Sequence, residues 1–384
     1  KGFTKELEQR ILSRVDQSRP FPVRKNARLM GTGAAVLLLC ISFAFLPFFF
    51  GTSDAPPFHQ TASPSEPNGS IASGDELSPG EVPVHSALLI GLRKDEEAGP
   101  FALETGSYRT LLIAKFQGKL QAVGETEGIV VPFGQQFWVI RPETHVSGSG
   151  FAHFLTVNPA DADQKNSYLP ELDGVRYAER LLFAGNRYVA VSEDRDELTA
   201  DGYERSRQWW VKELPQINDD TRLSADYAQP ARFVAPAEAL GGETISLLPG
   251  SMAQSENWTI ARTPGRWVAK IAENTHSRET AVEWIEVPVP LPESVVVHDE
   301  LCCTWEQILS IEPGAEDALF SPTADLLVIF TGRRIDFYPY HDGKTAETGV
   351  LSIAREPDES LVMAEWATHQ YVDRWIGQAR QWDK

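Results

Sequence analysis

The chain has 384 residues, 42% hydrophobic and 23% charged, with a formal net charge of −19. Such proportions belong to globular proteins and argue against wholesale disorder, and the length leaves room for two or three units. The charge is uneven: residues 1–28 hold eight Lys or Arg against three Asp or Glu, so residues 29–384 carry −24. A body that acidic repels phosphates, so nucleic acid is not an expected partner.

Taken in chain order, residues 1–28 read as a basic tail. Phe3, Leu7, Ile11, Leu12 and Val15 recur at helical spacing, with Lys5, Arg10 and Arg14 between them. Thr4 is placed to cap this helix, and Pro20 and Pro22 end it. So short a helix does not hold in water by itself and needs a surface. The anionic inner leaflet of a membrane would serve, as would a cytoplasmic regulator docked on residues 3–16.

Residues 29–50 (LMGTGAAVLLLCISFAFLPFFF) contain no charge. As a helix they would extend about 33 Å, enough for a hydrocarbon core of about 30 Å. Arg19, Arg24, Lys25 and Arg28 precede the span, and no base follows it until Arg93. This bias predicts a single-pass signal-anchor in the cell membrane, with a cytoplasmic N-terminus and an extracytoplasmic body. Cys40 is an apolar-compatible residue of the span; Leu39 before it does not fit a lipoprotein box. Residues 51–84 are rich in Pro, Ser, Gly and acidic residues and read as a disordered linker.

From residue 85 to 384 the texture changes to short β-type runs. Strands are expected at 86–92, 110–116, 119–123, 129–131, 136–140, 180–183, 188–192, 209–212, 258–262, 266–271, 283–289, 326–331, 334–340 and 350–354. Pro264-Gly265 reads as the turn of one hairpin, and Asp342-Gly343 as that of another. Toward the end, Thr368 is the expected cap of a helix running to Gln381. Val372, Trp375, Ile376, Ala379 and Trp382 form the stripe that packs it on the β body.

Little in this body points to chemistry. No Gly-x-Ser-x-Gly, P-loop or Gly-x-Gly-x-x-Gly motif is present, so no catalytic, cofactor-binding or metal residue is nominated. Glu365 and His369 are four residues apart but straddle an expected strand-to-helix junction, which disfavours a shared metal. His298 stands near Cys302 and Cys303, yet zinc would need further ligands. The Asp161 and Asp163 pair resembles the start of a calcium loop, with Lys165 at a ligand position. Asp194, Asp196 and Glu197 read as a solvated acidic turn. The adjacent thiols Cys302 and Cys303 are the sharpest local feature. They are either two small side chains in a packed turn or, in an oxidising compartment, a vicinal disulfide.

The segment 319–328 (LFSPTADLLV), followed by RRIDFYPY, resembles a β-propeller blade, and 300 residues would accommodate six or seven blades. The Trp anchors at 138, 210 and 258 are not evenly spaced, so a propeller would be degenerate; a pair of β-sandwiches is the competing architecture. The whole layout resembles that of uncharacterised single-pass extracytoplasmic proteins of Gram-positive bacteria. It is also similar in layout to membrane-bound anti-sigma regulators. The first likeness implies a membrane-anchored, non-enzymatic binding or sensing module for an envelope protein or cell-wall ligand. The second implies a transmembrane signal transducer. An extracytoplasmic hydrolase is a third possibility that no motif supports.

Overall fold

The computed structural model describes residues 84–98, 103–162, 174–200, 202–218, 233–241, 250–273 and 282–382. The tail, the span and all but the last residue of the linker lie outside them, as does the calcium-like motif from Asp163 onward. Among the described residues, no helix is long and apolar enough to cross a membrane.

The described body is mainly β, with four sheets arranged like a four-bladed β-propeller. In the first, β1 (Ala87–Ala98), β2 (Leu103–Phe116) and β3 (Lys119–Glu127) make an antiparallel meander, and β18 (Glu359–Ala367) pairs antiparallel with β1. The second sheet runs in order through β4 (Ile129–Phe133), β5 (Gln136–Ser147), β6 (Gly150–Pro159), β7 (Val175–Ala184), β8 (Tyr188–Thr199) and β9 (Gly202–Glu213). Its β6–β7 pairing is parallel and covers only Phe151, Ala152 and His153 against Arg176, Tyr177 and Ala178. The third sheet holds β10 (Trp258–Thr263), β11 (Arg266–Ala272) and β12 (Trp284–Glu286). The fourth holds β13 (Ala315–Phe320), β14 (Leu326–Thr331), β15 (Arg334–His341), β16 (Lys344–Thr345) and β17 (Leu351–Ala354).

Closure comes from the first sheet, where β1 meets β18 across more than 250 residues of sequence. Asp325, in the turn before β14, strengthens it. Its carboxylate accepts from the His85 amide (2.6 Å), the Ser86 amide (3.1 Å), the Ser86 hydroxyl (2.8 Å) and the Ser321 hydroxyl (2.6 Å).

Period-two alternation explains the packing. In β1, Leu88, Ile90 and Leu92 enter one core while Ala87 and Leu89 enter another. Both faces are therefore buried, and this is why β1 and β2 read as continuous apolar runs. In β14, Leu326, Val328 and Phe330 join the first core, while Leu327 and Ile329 pack under Ile308 of helix α1 (Trp305–Ile311). Thr304 and Gln307 cap α1 reciprocally.

All fourteen expected strand segments overlap observed strands, and both turns are found. Gly265 has φ +78°, Asp342 +51° and Gly343 +76°. Four expectations need correction. Six or seven blades give way to four sheets, because the second sheet spends 129–213 on six strands. The 283–289 run pairs only over Trp284–Glu286, since Pro288 and Pro290 carry no amide to donate. Asp194 and Asp196 are buried on β8 rather than solvated, each clasped across the ladder by Arg207 and Arg205 respectively. The C-terminal helix α2 (Gln370–Ala379) is not capped by Thr368; the chain turns at His369, with φ 51° and no side-chain cap bond. Its stripe is as expected: Trp375, Ile376 and Ala379 are buried, and the Phe137 ring lies 5.6 Å from that of Trp375.

Candidate functional site

All four sheets contribute to one cavity of about 560 Å³. β18 supplies Ala364, Glu365 and Trp366; β11 supplies Trp267 and Val268; the β13–β14 turn supplies Pro322 and Thr323. Pro132 of β4 and Asn186 of the β7–β8 turn complete the second sheet's share, and the coil 287–300 forms the remaining wall. The lining mixes aliphatic, aromatic and proline residues with nearly as many polar ones, so apolar walls and convergent polar groups meet in one concave site.

The coil wall is fixed by charge. Asp299 accepts from the Trp267 amide and from Arg262 Nη1 (2.8 Å). Arg262 also makes a two-pronged bond to Asp317 (2.7 and 3.0 Å) and donates to the Ala318 carbonyl (2.7 Å). The Gly265 amide donates to Asp317 as well (2.7 Å), so the tight turn and the guanidinium share one carboxylate. Burial opposes the Arg262 charge, but Asp317 and then Asp299 hold its pKa above the ordinary arginine value. Burial pushes the Asp299 carboxyl up to about 6 against the pull of Arg262. His298 donates from Nε2 to the Phe320 carbonyl (2.9 Å), and burial lowers its pKa.

Glu365 differs from all of these. It is half-buried on β18 and lines the cavity. Burial pushes its carboxyl up to about 8, opposed only by a hydrogen bond with the Asn186 backbone. At neutral pH it is therefore mostly a carboxylic acid, able to donate a proton or a hydrogen bond. A group so perturbed within a cleft is a candidate functional residue.

A second concentration of buried charge lies inside the second sheet. Glu179 accepts from the Leu155 amide (2.9 Å) and the Tyr177 hydroxyl (2.8 Å), with Lys212 Nζ at 4.0 Å. Glu193 accepts from Trp210 Nε1 (2.9 Å) and lies 3.2 Å from the same Tyr177 hydroxyl. These five residues are all buried and bonded to one another, an arrangement that holds strands in register.

Cys302 and Cys303 sit beside α1 as half-buried free thiols, with Sγ atoms 2.8 Å apart. Burial and then the bond to Cys303 push the Cys302 thiol up to about 12, which makes it a poor nucleophile. The two thiols do not line the cavity. Among the described residues, no three His, Cys, Asp or Glu are placed to share a metal, so neither His298 with the thiols nor Glu365 with His369 forms such a centre. Glu365 and His369 do share the cavity wall. Sequence reasoning missed Glu365 and Asp299 as site residues. The available signal was Glu365 as the lone charge in the apolar run 361–367. Comparison with protein-family models, with curated proteins and with solved structures yields no match.

Proposed function

We propose that this chain is a membrane-anchored, non-enzymatic binding or sensing module, built on a degenerate propeller that displays its cavity outside the cytoplasm. The observation that carries the reading is the 560 Å³ cavity, walled by apolar residues from all four sheets and holding the raised carboxyl of Glu365. Residues 29–50 supply the anchor in the bilayer, and an envelope or cell-wall compound is the expected ligand. Residues 3–16 are the segment through which a cytoplasmic regulator would be engaged.

The test uses the full chain in lipid nanodiscs, incubated with a low-mass fraction of bacterial envelope and analysed by native mass spectrometry. The wild type should retain a small molecule, and V297W, which fills the cavity, should release it while keeping the wild-type circular dichroism. Equal retention by both proteins, or none by either, would overturn the reading.

One observation favours a second reading, an extracytoplasmic hydrolase. Two carboxyls of raised pKa, Asp299 and Glu365, line one cavity, as a general base and a general acid would. Against it, Asp299 is already engaged by Arg262 and the Trp267 amide. Turnover of chromogenic glycosides or esters by the wild type, lost in both D299N and E365Q, would establish the hydrolase and displace the first reading.

A further inference from the structure

Residues 361–367 of β18 read Leu-Val-Met-Ala-Glu-Trp-Ala, and Glu365 is the ionisable side chain among them. Val362, Met363, Trp366 and Ala367 around it are buried and apolar. Burial and the Asn186 backbone account for its state, with no contribution from a neighbouring positive charge. The guanidinium of Arg266, which also lines the cavity, bonds Glu286 at 2.9 Å, and that of Arg262, which holds the wall residue Asp299, is taken by Asp317 and Asp299. At the lining, Glu293 and Glu300 add two exposed carboxylates. A concave site with this balance, in a chain of net charge −19, concentrates cations and repels anions.

Resting on the binding reading above, we infer that the cavity takes a small organic cation: a protonated amine carried on a compact apolar body. The ammonium pairs with the Glu365 carboxylate, and Val268, Val289 and Trp366 enclose the body. The ligand supplies the counter-ion that the fold omits. Because Glu365 begins mostly protonated at neutral pH, capture transfers one proton from its carboxyl to solvent for each amine bound. Affinity therefore rises with pH as that proton is lost beforehand. The other titratable groups facing the cavity are Arg266, Glu293, His298, Asp299, Glu300 and His369. Asp299, at about 6, and His298, lowered by burial, complete their titration below the range in which Glu365 loses its proton.

The experiment is calorimetric titration of the full chain in nanodiscs with cyclohexylamine and with cyclohexanol, its uncharged counterpart in shape. Wild type and E365Q are compared at pH 7 and pH 9. The amine should bind the wild type about tenfold more tightly at pH 9 than at pH 7, as expected for a carboxyl near 8. Cyclohexanol should show no such rise, and E365Q should abolish it. Should E365Q fail to fold, repeating the wild-type titration in buffers of different ionisation enthalpy counts the released proton directly, and close to one is expected at pH 7. Binding of cyclohexanol alone, or amine binding indifferent to pH and without proton release, would overturn the cationic ligand while leaving a ligand-binding cavity in place. Binding of neither probe would overturn the cavity reading itself.

Discussion

Glu179 in the second sheet and Glu365 in the first are both carboxylates on strands whose neighbours are largely apolar, and the fold treats them in opposite ways. Around Glu179 the chain supplies the Leu155 amide, the Tyr177 hydroxyl and the Lys212 ammonium. Around Glu365 it supplies a backbone contact at Asn186 and an open cavity. Asp194, Asp196 and Asp325 belong with Glu179, each held by two or more donors from this chain. A protein that provides several donors for these carboxylates and only a backbone contact for Glu365 accepts a desolvation cost there, and departures of this kind concentrate where function requires them.

The comparison can be broken by removing these carboxylates in turn and measuring unfolding in denaturant. E179A should have the largest effect, a loss of about 3–5 kcal/mol, because it removes the acceptor of the buried Leu155 amide, one of the two carboxylates around the Tyr177 hydroxyl and the carboxylate facing Lys212. D325A should lose about 2–3 kcal/mol by freeing the start of β1 from the fourth sheet, and the 84–90 amides should exchange faster with solvent. D194A should lose only about 1 kcal/mol, since Arg207 at 35% exposure can turn to water once its partner is gone. If the three losses were equal, the number of buried partners would not be what governs them.

Much of this fold was readable because its signals are local. Pro264-Gly265 and Asp342-Gly343 carry their turns in two residues, and the apolar runs of β1, β2 and β14 need no distant partner to be recognised. The closure by β18 was not readable, because its pairing with β1 joins residues some 270 apart and no local pattern encodes it. Asp194 and Asp196 look solvated in sequence because their partners Arg207 and Arg205 arrive from the next strand. The cavity is the least legible feature: each of its walls is an ordinary apolar segment until four sheets converge. Glu365 was visible only as half of an unconvincing metal pair with His369, whereas its burial is a property of the tertiary fold.

The most direct test of the account is the stability of wild type against E365Q, measured by denaturant unfolding at intervals from pH 4 to pH 9. A carboxyl raised from 4.5 in the unfolded chain to about 8 in the folded one keeps its proton when folded and loses it when unfolded between those two pH values. The wild type therefore loses stability relative to E365Q as pH rises from about 4.5 to about 8, and the difference levels off above that. The predicted result is an E365Q protein more stable at pH 8 than the wild type, on the order of 1–3 kcal/mol, with the advantage shrinking toward pH 5. A difference that stays flat across the range, or that favours the wild type increasingly toward pH 8, would mean that Glu365 has a positively charged partner in the folded protein and would contradict the account.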